Sequence, residues 1–228
     1  MDKSRTELLI GKENIELISK KKIAIVGVGG VGGQVAVSLA RCGIEHMCLI
    51  DFDTVAPSNC NRQVVAKSST IGKNKVDVLK DLILDINPLA KVDAVCKKIS
   101  KENVENLINE SFDLVVDAID SVNDKVELIC YCKSKNINII SAMGAGNRFD
   151  VPQFYMTDIY KTHDDGLAKI VRKKLRENNV KSLDVVVCNS KPVKIEGQKI
   201  IGSIAYYPAM CGLVICSEII NKILRREI

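Results

Sequence analysis

The segment Ile23-Ala24-Ile25-Val26-Gly27-Val28-Gly29-Gly30-Val31-Gly32 sets the architecture of this chain. A short β-branched run ends in closely spaced glycines, and an apolar helical pattern, Val31–Cys42, follows at once. Strand, glycine turn and helix in that order bring backbone N–H groups to the positive end of a helix, where a phosphate can approach closely. Nineteen residues beyond Gly32 a second apolar run, Met47–Ile50, ends in Asp51, with Asp53 just behind it. A carboxylate there can accept hydrogen bonds from ribose hydroxyls. On their own, Gly27, Gly29, Gly30, Gly32, Asp51 and Asp53 fit a dinucleotide or ATP. The plainer reading is that the glycines serve only a tight turn.

The same alternation extends outward. Val92–Val95, Leu114–Val116 and Ile137–Ile140 read as further strands. Between them lie helical patterns: Val76, Leu79, Ile83 and Ile86 up to Asn87-Pro88, then Glu102–Asn109 and Asp124–Lys135. Nearly continuous apolar strands alternating with helices predict an α/β, Rossmann-like fold, with a mostly parallel central sheet covered by helices on both faces. After Gly144 the pattern changes to a loop-rich stretch, a helix near Leu167–Arg176, strands around Val185–Val187 and Ile200–Tyr206, and a last helix from about Pro208 to Leu224. The C-terminal part therefore adds strands and a long helix to one domain. We divide it into a nucleotide-binding core, residues 1–146, and a substrate-side and dimerisation segment, residues 147–228.

Composition narrows the class. The 228 residues are 46% hydrophobic and 27% charged, which argues against a disordered or fibrous chain. With 4% aromatics and no Trp, base stacking on an aromatic platform is not the main device. The N-terminal ten residues hold no apolar run long enough for a secretory signal. Nine cysteines, an odd number mostly in apolar stretches, fit reduced thiols in a cytoplasmic protein, and without a Cys-x-x-Cys pair a structural zinc site has little support. Ile200–Ser217 is uncharged over 18 residues, but Gly202, Pro208 and Gly212 make it read as core rather than a membrane span.

The next residues separate ATP from a dinucleotide. Ser58-Asn59-Cys60-Asn61-Arg62-Gln63 places two amides and a guanidinium in one loop, and Gly72-Lys73-Asn74-Lys75 opens the following helix. A triphosphate attacked at its α-phosphorus needs cations to neutralise charge building on the leaving pyrophosphate. Phe112–Asp120 then ends a strand in a carboxylate pair, Asp117 and Asp120, at the sheet edge where such folds bind ligands. Either suits Mg²⁺ as a hard oxygen ligand; Asp117 can equally cap its turn, so Asp120 is the better candidate.

With these motifs in place, the chain resembles the ubiquitin-activating-enzyme-like superfamily, which includes the molybdopterin- and thiamine-pathway adenylyltransferases. The resemblance rests on the glycine motif, Leu49-Ile50-Asp51-Phe52-Asp53, Asn61-Arg62-Gln63, Gly72-Lys73-x-Lys75 and Asp117-Ala118-Ile119-Asp120. It implies Mg-ATP-dependent adenylation of a carboxylate. Gly30 and Asp51 would contact the adenosine part, Asn59, Asn61, Arg62 and Lys75 would hold the phosphates, Ser58 would belong to the same nucleotide site, and Asp120 would bind Mg²⁺. Arg5 matches an arginine that reaches the partner subunit's site, implying a homodimer.

The C-terminal third resembles the tRNA threonylcarbamoyladenosine dehydratase branch through Gly144-Ala145-Gly146-Asn147, Lys161-Thr162-His163 and Gly166-Leu167-Ala168-Lys169 to Arg172 and Leu175-Arg176. Gly202-Ser203-Ile204, Pro208 and Gly212-Leu213 match as well. Where branch members carry Asp-Pro-Leu-Ala, this chain has Asp165-Gly166-Leu167-Ala168. The branch adenylates the modified adenosine beside the tRNA anticodon; the activated acyl group is then attacked from the same side chain and AMP leaves. The alternative is adenylation of a small sulfur-carrier protein ending in Gly-Gly, which admits sulfur-transfer partners and a reactive Cys188; a third reading is an NAD-dependent oxidoreductase or nucleotide-binding regulator.

Net charge points to the anionic partner. The chain carries +5, and +4 of it falls in Lys161–Lys181. Lys169, Arg172, Lys173 and Arg176 recur at helical spacing as a cationic stripe suited to tRNA, although such runs are often only solvated faces. His163 orients substrate or caps that helix.

Overall fold

The computed structural model describes residues 1–193, 197 and 201–228. In chain order the elements are α1 (Ser4–Ile10), α2 (Lys12–Lys20), β1 (Lys22–Val26), α3 (Gly32–Cys42), β2 (His46–Ile50), α4 (Lys75–Ile86), β3 (Lys91–Val95), α5 (Val104–Leu107), β4 (Leu114–Asp117), α6 (Val122–Ser134), β5 (Ile139–Ala142), β6 (Phe154–Asp158), α7 (Gly166–Glu177), β7 (Asp184–Cys188) and α8 (Tyr206–Leu224). The strands form one seven-stranded sheet in the order β3-β2-β1-β4-β5-β7-β6. All neighbours run parallel except β6, which pairs antiparallel with β7 at the edge. The α/β reading is borne out.

Strand periodicity divides the core in two. On β1, Ile23 and Ile25 point to a cluster shared with α2, α3, α4 and α8, while Ala24 and Val26 point to one shared with α5, α6 and α7. Both faces of the sheet are thus covered, which is why its central strands read as unbroken apolar runs. Helix α8 is long and apolar enough to cross a membrane by composition. Its Cys211, Ile215, Ile219 and Ile223 are instead buried in the first cluster, and Gly212 lets it lie against the start of α3.

Three helices end in the same way. Gly43, Asn136 and Asn179 adopt positive φ, and the following Ile44, Ile137 and Val180 send their N–H back to Leu39, Cys132 and Leu175. Glycine and asparagine tolerate that left-handed conformation, and the next apolar residue packs back onto the core.

This geometry corrects the Ile137–Ile140 expectation. Ile137 closes α6, so β5 begins two residues later, at Ile139. The expected helix Glu102–Asn109 shrinks to α5, because Asn103 turns its side chain onto the Ser100 N–H and Lys98 carbonyl, offering the backbone other partners. Of the strand expected around Ile200–Tyr206, Ile200 lies outside the described residues. Residues 201–204 join no sheet, and α8 starts at Tyr206. Helices α1 and α2 and strand β6 add to the expected elements.

Candidate active site

The glycine turn closes between β1 and α3. Gly27 has φ +85°, and a Cβ there would stand 2.6 Å from the Ala118 carbonyl oxygen; one on Gly32 would stand 1.8 Å from the Gly27 oxygen. No side chain fits either place, so the turn packs backbone to backbone against the residues after β4. Asp51 shapes it from β2, one carboxylate oxygen accepting the Val28 N–H and the other the Asp53 N–H, each at 2.8 Å. Each oxygen keeps a lone pair free for a ribose hydroxyl.

The polar loop folds onto this turn. A Cβ on Gly30 would come within 3.6 Å of Arg62 Cγ, and one on Gly29 within 3.6 Å of Gln63 Nε2. Asn59 is buried, its Oδ1 accepting the Ala56 N–H at 3.1 Å, and Asn61 donates Nδ2 to the Ser203 carbonyl at 2.9 Å. Arg62 donates Nη1 to the Ser58 carbonyl and to Asn61 Oδ1, both at 3.0 Å. Its Nη2 and Nε make no protein hydrogen bond among the described residues, leaving one edge of the guanidinium open to a phosphate. Gln63, quoted in the motif but given no role above, is buried with its Oε1 unpartnered among the described residues.

Two lysines near this sheet edge contrast sharply. Lys75, at the start of α4, is 5% exposed, and Asp53 Oδ2, 2.6 Å away, is the one hydrogen-bond partner of its ammonium among the described residues. A buried ammonium with donors left over suits an anion. Lys125, on α6, is fully buried and satisfied by Asp117 Oδ2 at 2.7 Å, the Ala142 carbonyl at 3.1 Å and Ser141 Oγ at 3.3 Å.

That contrast separates the paired carboxylates. Asp117 is fully buried and engaged by Lys125, Ser141 and the Ile119 N–H. Asp120 is exposed and has no protein partner among the described residues. A lone hard carboxylate fits Mg²⁺ arriving on nucleotide phosphates, because Mg²⁺ normally takes one or two protein carboxylates beside phosphate and water. Among the described residues no cluster of three metal-type side chains forms an all-protein cage.

Helix α7 begins at the same sheet edge. Asp165 caps it by accepting the Ala168 N–H at 2.9 Å, and its other oxygen accepts the Gly144 N–H from the end of β5, also at 2.9 Å. The cap is therefore Asp165, and His163 is exposed beside Asp164. The cationic stripe is not uniform. Arg172 turns inward onto the Thr162 carbonyl (2.7 Å) and hydroxyl (2.6 Å). Arg176 lies over the Tyr160 ring at 5.3 Å. Lys169 and Lys173 are exposed, without an ion pair among the described residues.

The ThiF family model matches residues 3–228, nearly the whole chain. This chain belongs to the ThiF family. Within the family it is 37% identical to the tRNA threonylcarbamoyladenosine dehydratase of Bacillus subtilis, an alignment spanning 97% of this chain and 94% of that protein. The Escherichia coli tRNA N6-threonylcarbamoyladenosine dehydratase, TcdA, in complex with ATP matches it with a TM-score of 0.91 at 32% identity, over 98% of this chain and 94% of the other. The molybdopterin-synthase adenylyltransferase of Haemophilus influenzae is 30% identical over a shorter alignment, 69% of this chain and 64% of that protein.

Two further features of this ThiF-family chain bear on its chemistry. Cys188 is 2% exposed at the end of β7, its thiol 3.5 Å from Ser190 Oγ and 3.6 Å from Tyr207 Oη. Burial pushes this thiol up, but hydrogen bonding to Ser190, Tyr207 and the backbone together outweighs it and the net shift is downward. Buried as it is, it presents no surface nucleophile. At the other end, α1 buries none of its residues: Arg5 is exposed, and Leu8 and Leu9 are 89% and 84% exposed.

Proposed function

We propose that this protein adenylates the carboxylate of N6-threonylcarbamoyladenosine in tRNA with Mg-ATP, acting as a tRNA threonylcarbamoyladenosine dehydratase. A carboxylate oxygen of the modified base attacks the α-phosphorus and pyrophosphate leaves. The acyl adenylate is then attacked from within the same side chain, closing a ring and expelling AMP. The net change in the base is loss of water. The observation that carries this reading is the near-complete match to TcdA with ATP, which spans the nucleotide core and the segment bearing α7 alike.

Each residue has a part in that scheme. The glycine turn and α3 receive the phosphates at a helix N-terminus, and Asp51 takes the ribose. Ser58, Asn59 and Asn61 shape the loop that presents Arg62, whose open edge neutralises the departing pyrophosphate together with Lys75. Mg²⁺, brought by the nucleotide, supplies charge neutralisation, and Asp120 is the carboxylate that would hold it. Because the second nucleophile is tethered to the activated acyl group, proximity drives ring closure and no enzyme thiol is needed. A buried Cys188 is consistent with that. The functional division at residue 146 follows the same line, with nucleotide chemistry before it and substrate contacts after it.

The deciding experiment measures AMP release in parallel with tRNA bearing threonylcarbamoyladenosine and with a carrier protein ending in Gly-Gly. AMP appears with the tRNA. If only the carrier stimulates pyrophosphate exchange, the protein serves sulfur transfer and the tRNA reading fails.

Lys169 and Lys173 are the stripe's open cations, and we assign them to the tRNA backbone, with Arg172 and Arg176 holding the helix surface in shape. Lys169→Glu with Lys173→Glu weakens tRNA binding by about tenfold or more at low salt, with the loss shrinking as salt is raised, and leaves ATP binding unchanged. Equal tRNA affinity for wild type and variant in a filter-binding titration would reduce the stripe to a solvated face.

The protein acts as a cytoplasmic homodimer on this reading. All nine cysteines carry free thiols, which suits a reducing compartment. The apolar surface of α1, with Leu8 and Leu9, and the exposed Tyr206, Met210 and Leu213 on α8 supply area for a second copy. Arg5 on α1 is then placed to reach the partner's nucleotide. Leu8→Asp with Leu9→Asp shifts the species seen by analytical ultracentrifugation from dimer to monomer; a wild type that already sediments as a monomer rejects the dimer.

A further inference from the structure

Within β4, β5 and α6 lies a buried polar network that no step above uses. Lys125 and Asp117 are both fully buried. The ammonium donates to Asp117 Oδ2, the Ala142 carbonyl and Ser141 Oγ, so every proton it carries has a partner. Ser141 donates its hydroxyl to the same Asp117 oxygen at 2.5 Å, and the second oxygen accepts the Ile119 N–H at 3.1 Å. Stability alone does not account for such a pair, since apolar side chains of similar volume usually stabilise a core as well or better.

Its contacts indicate what it does instead. The Ile119 N–H belongs to the turn Ala118-Ile119-Asp120, which leaves β4 and ends in the exposed Asp120. On its other side the turn is bounded by the Ala118 N–H bonding to the Val26 carbonyl at 2.8 Å and by the Ala118 carbonyl packing against Gly27. The Asp120 side chain has no protein partner of its own among the described residues. Its place is therefore set by the turn, and the turn by the network beneath it.

We propose that Lys125, with Asp117 and Ser141, is a positioning residue for adenylation: the network fixes the Ala118–Asp120 turn so that the Asp120 carboxylate meets the Mg²⁺ carried by ATP. This rests on the role given to Asp120 above. The network acts through geometry, since all three of its side chains are fully buried.

The test compares ATP affinity by calorimetry in EDTA and in Mg²⁺ for three proteins. They are wild type, Ser141→Ala, which keeps the ion pair, and the double variant Asp117→Leu with Lys125→Met, which replaces the pair by apolar side chains and abolishes the Ile119 contact. Wild type binds ATP more tightly with Mg²⁺, whereas Asp120→Ala, measured alongside these three as the control, does not. The double variant melts cooperatively and matches wild type in EDTA within about twofold, yet loses about tenfold of affinity in Mg²⁺, as one misplaced charged contact does. Ser141→Ala loses severalfold. A wild type whose affinity ignores Mg²⁺ removes the Asp120 reading itself. If wild type responds to Mg²⁺ and both variants respond equally, the network is only structural and the proposal is overturned. Should the double variant fail to melt cooperatively, Ser141→Ala decides alone, and a full Mg²⁺ response in it overturns the proposal.

Discussion

Replacing Arg62 by alanine lowers the rate of AMP formation by about two to three orders of magnitude, the usual effect of removing one transition-state charge partner. The thermal transition barely moves, because the side chain's two hydrogen bonds run to Ser58 and Asn61 within its own exposed loop. The loss falls on turnover more than on ATP affinity, since the charge on pyrophosphate is greatest as it departs. Arg62→Lys restores only part of the rate: it returns the charge but not the planar fork, whose Nη1 edge is held by the loop while the other edge faces outward. Lys75→Ala falls in the same direction and also frees Asp53 from its 2.6 Å contact. Single-turnover release of pyrophosphate measures all three variants. A drop of less than about tenfold for Arg62→Ala would assign charge neutralisation elsewhere.

Lys125→Met destabilises the protein by about 3–5 kcal/mol, the range for removing one partner of a buried ion pair. For a chain of this size that lowers the melting midpoint by roughly 6–20 °C. The reason lies in what remains: Asp117, with no exposure, loses its counter-charge and keeps, among the described residues, only the Ser141 hydroxyl and Ile119 N–H. Adding Asp117→Leu recovers most of the loss, because the uncompensated charge, not the missing pair, is what destabilises. Differential scanning calorimetry of the single and double variants decides it. A single variant within about 1 kcal/mol of wild type would mean that water or another donor reaches Asp117.

Much of the site was legible before any coordinates. The glycine turn, Asp51 and the Arg62 loop are local signals, carried by turn chemistry and by residues next to strand ends, and they map onto one sheet edge in the structure. Strands β1, β2, β4 and β7 announced themselves because burial on both faces leaves an unbroken apolar run. Strand β6 did not, since Phe154–Asp158 is half-buried throughout and depends on pairing with β7 some 30 residues away. Nor did α1, which buries none of its residues and leaves Leu8 and Leu9 exposed. Its signal is the exposed Leu8-Leu9 pair beside Arg5.

The amino-acid sequence by itself determined the alternation of strand and helix, the glycine turn after β1, and the concentration of positive charge between Lys161 and Lys181. These follow from periodicity, glycine sterics and counting, all of which are local along the chain. Tertiary structure alone decided which carboxylate is free and which cations are open. Asp117 is engaged by Ser141, 24 positions away, whereas Asp120 is exposed and has no protein partner among the described residues. Arg172 is drawn inward by Thr162, ten positions back, which leaves Lys169 and Lys173 to face solvent. Whether a charged side chain is available depends on the partners the fold brings to it, and no pattern along the chain records that.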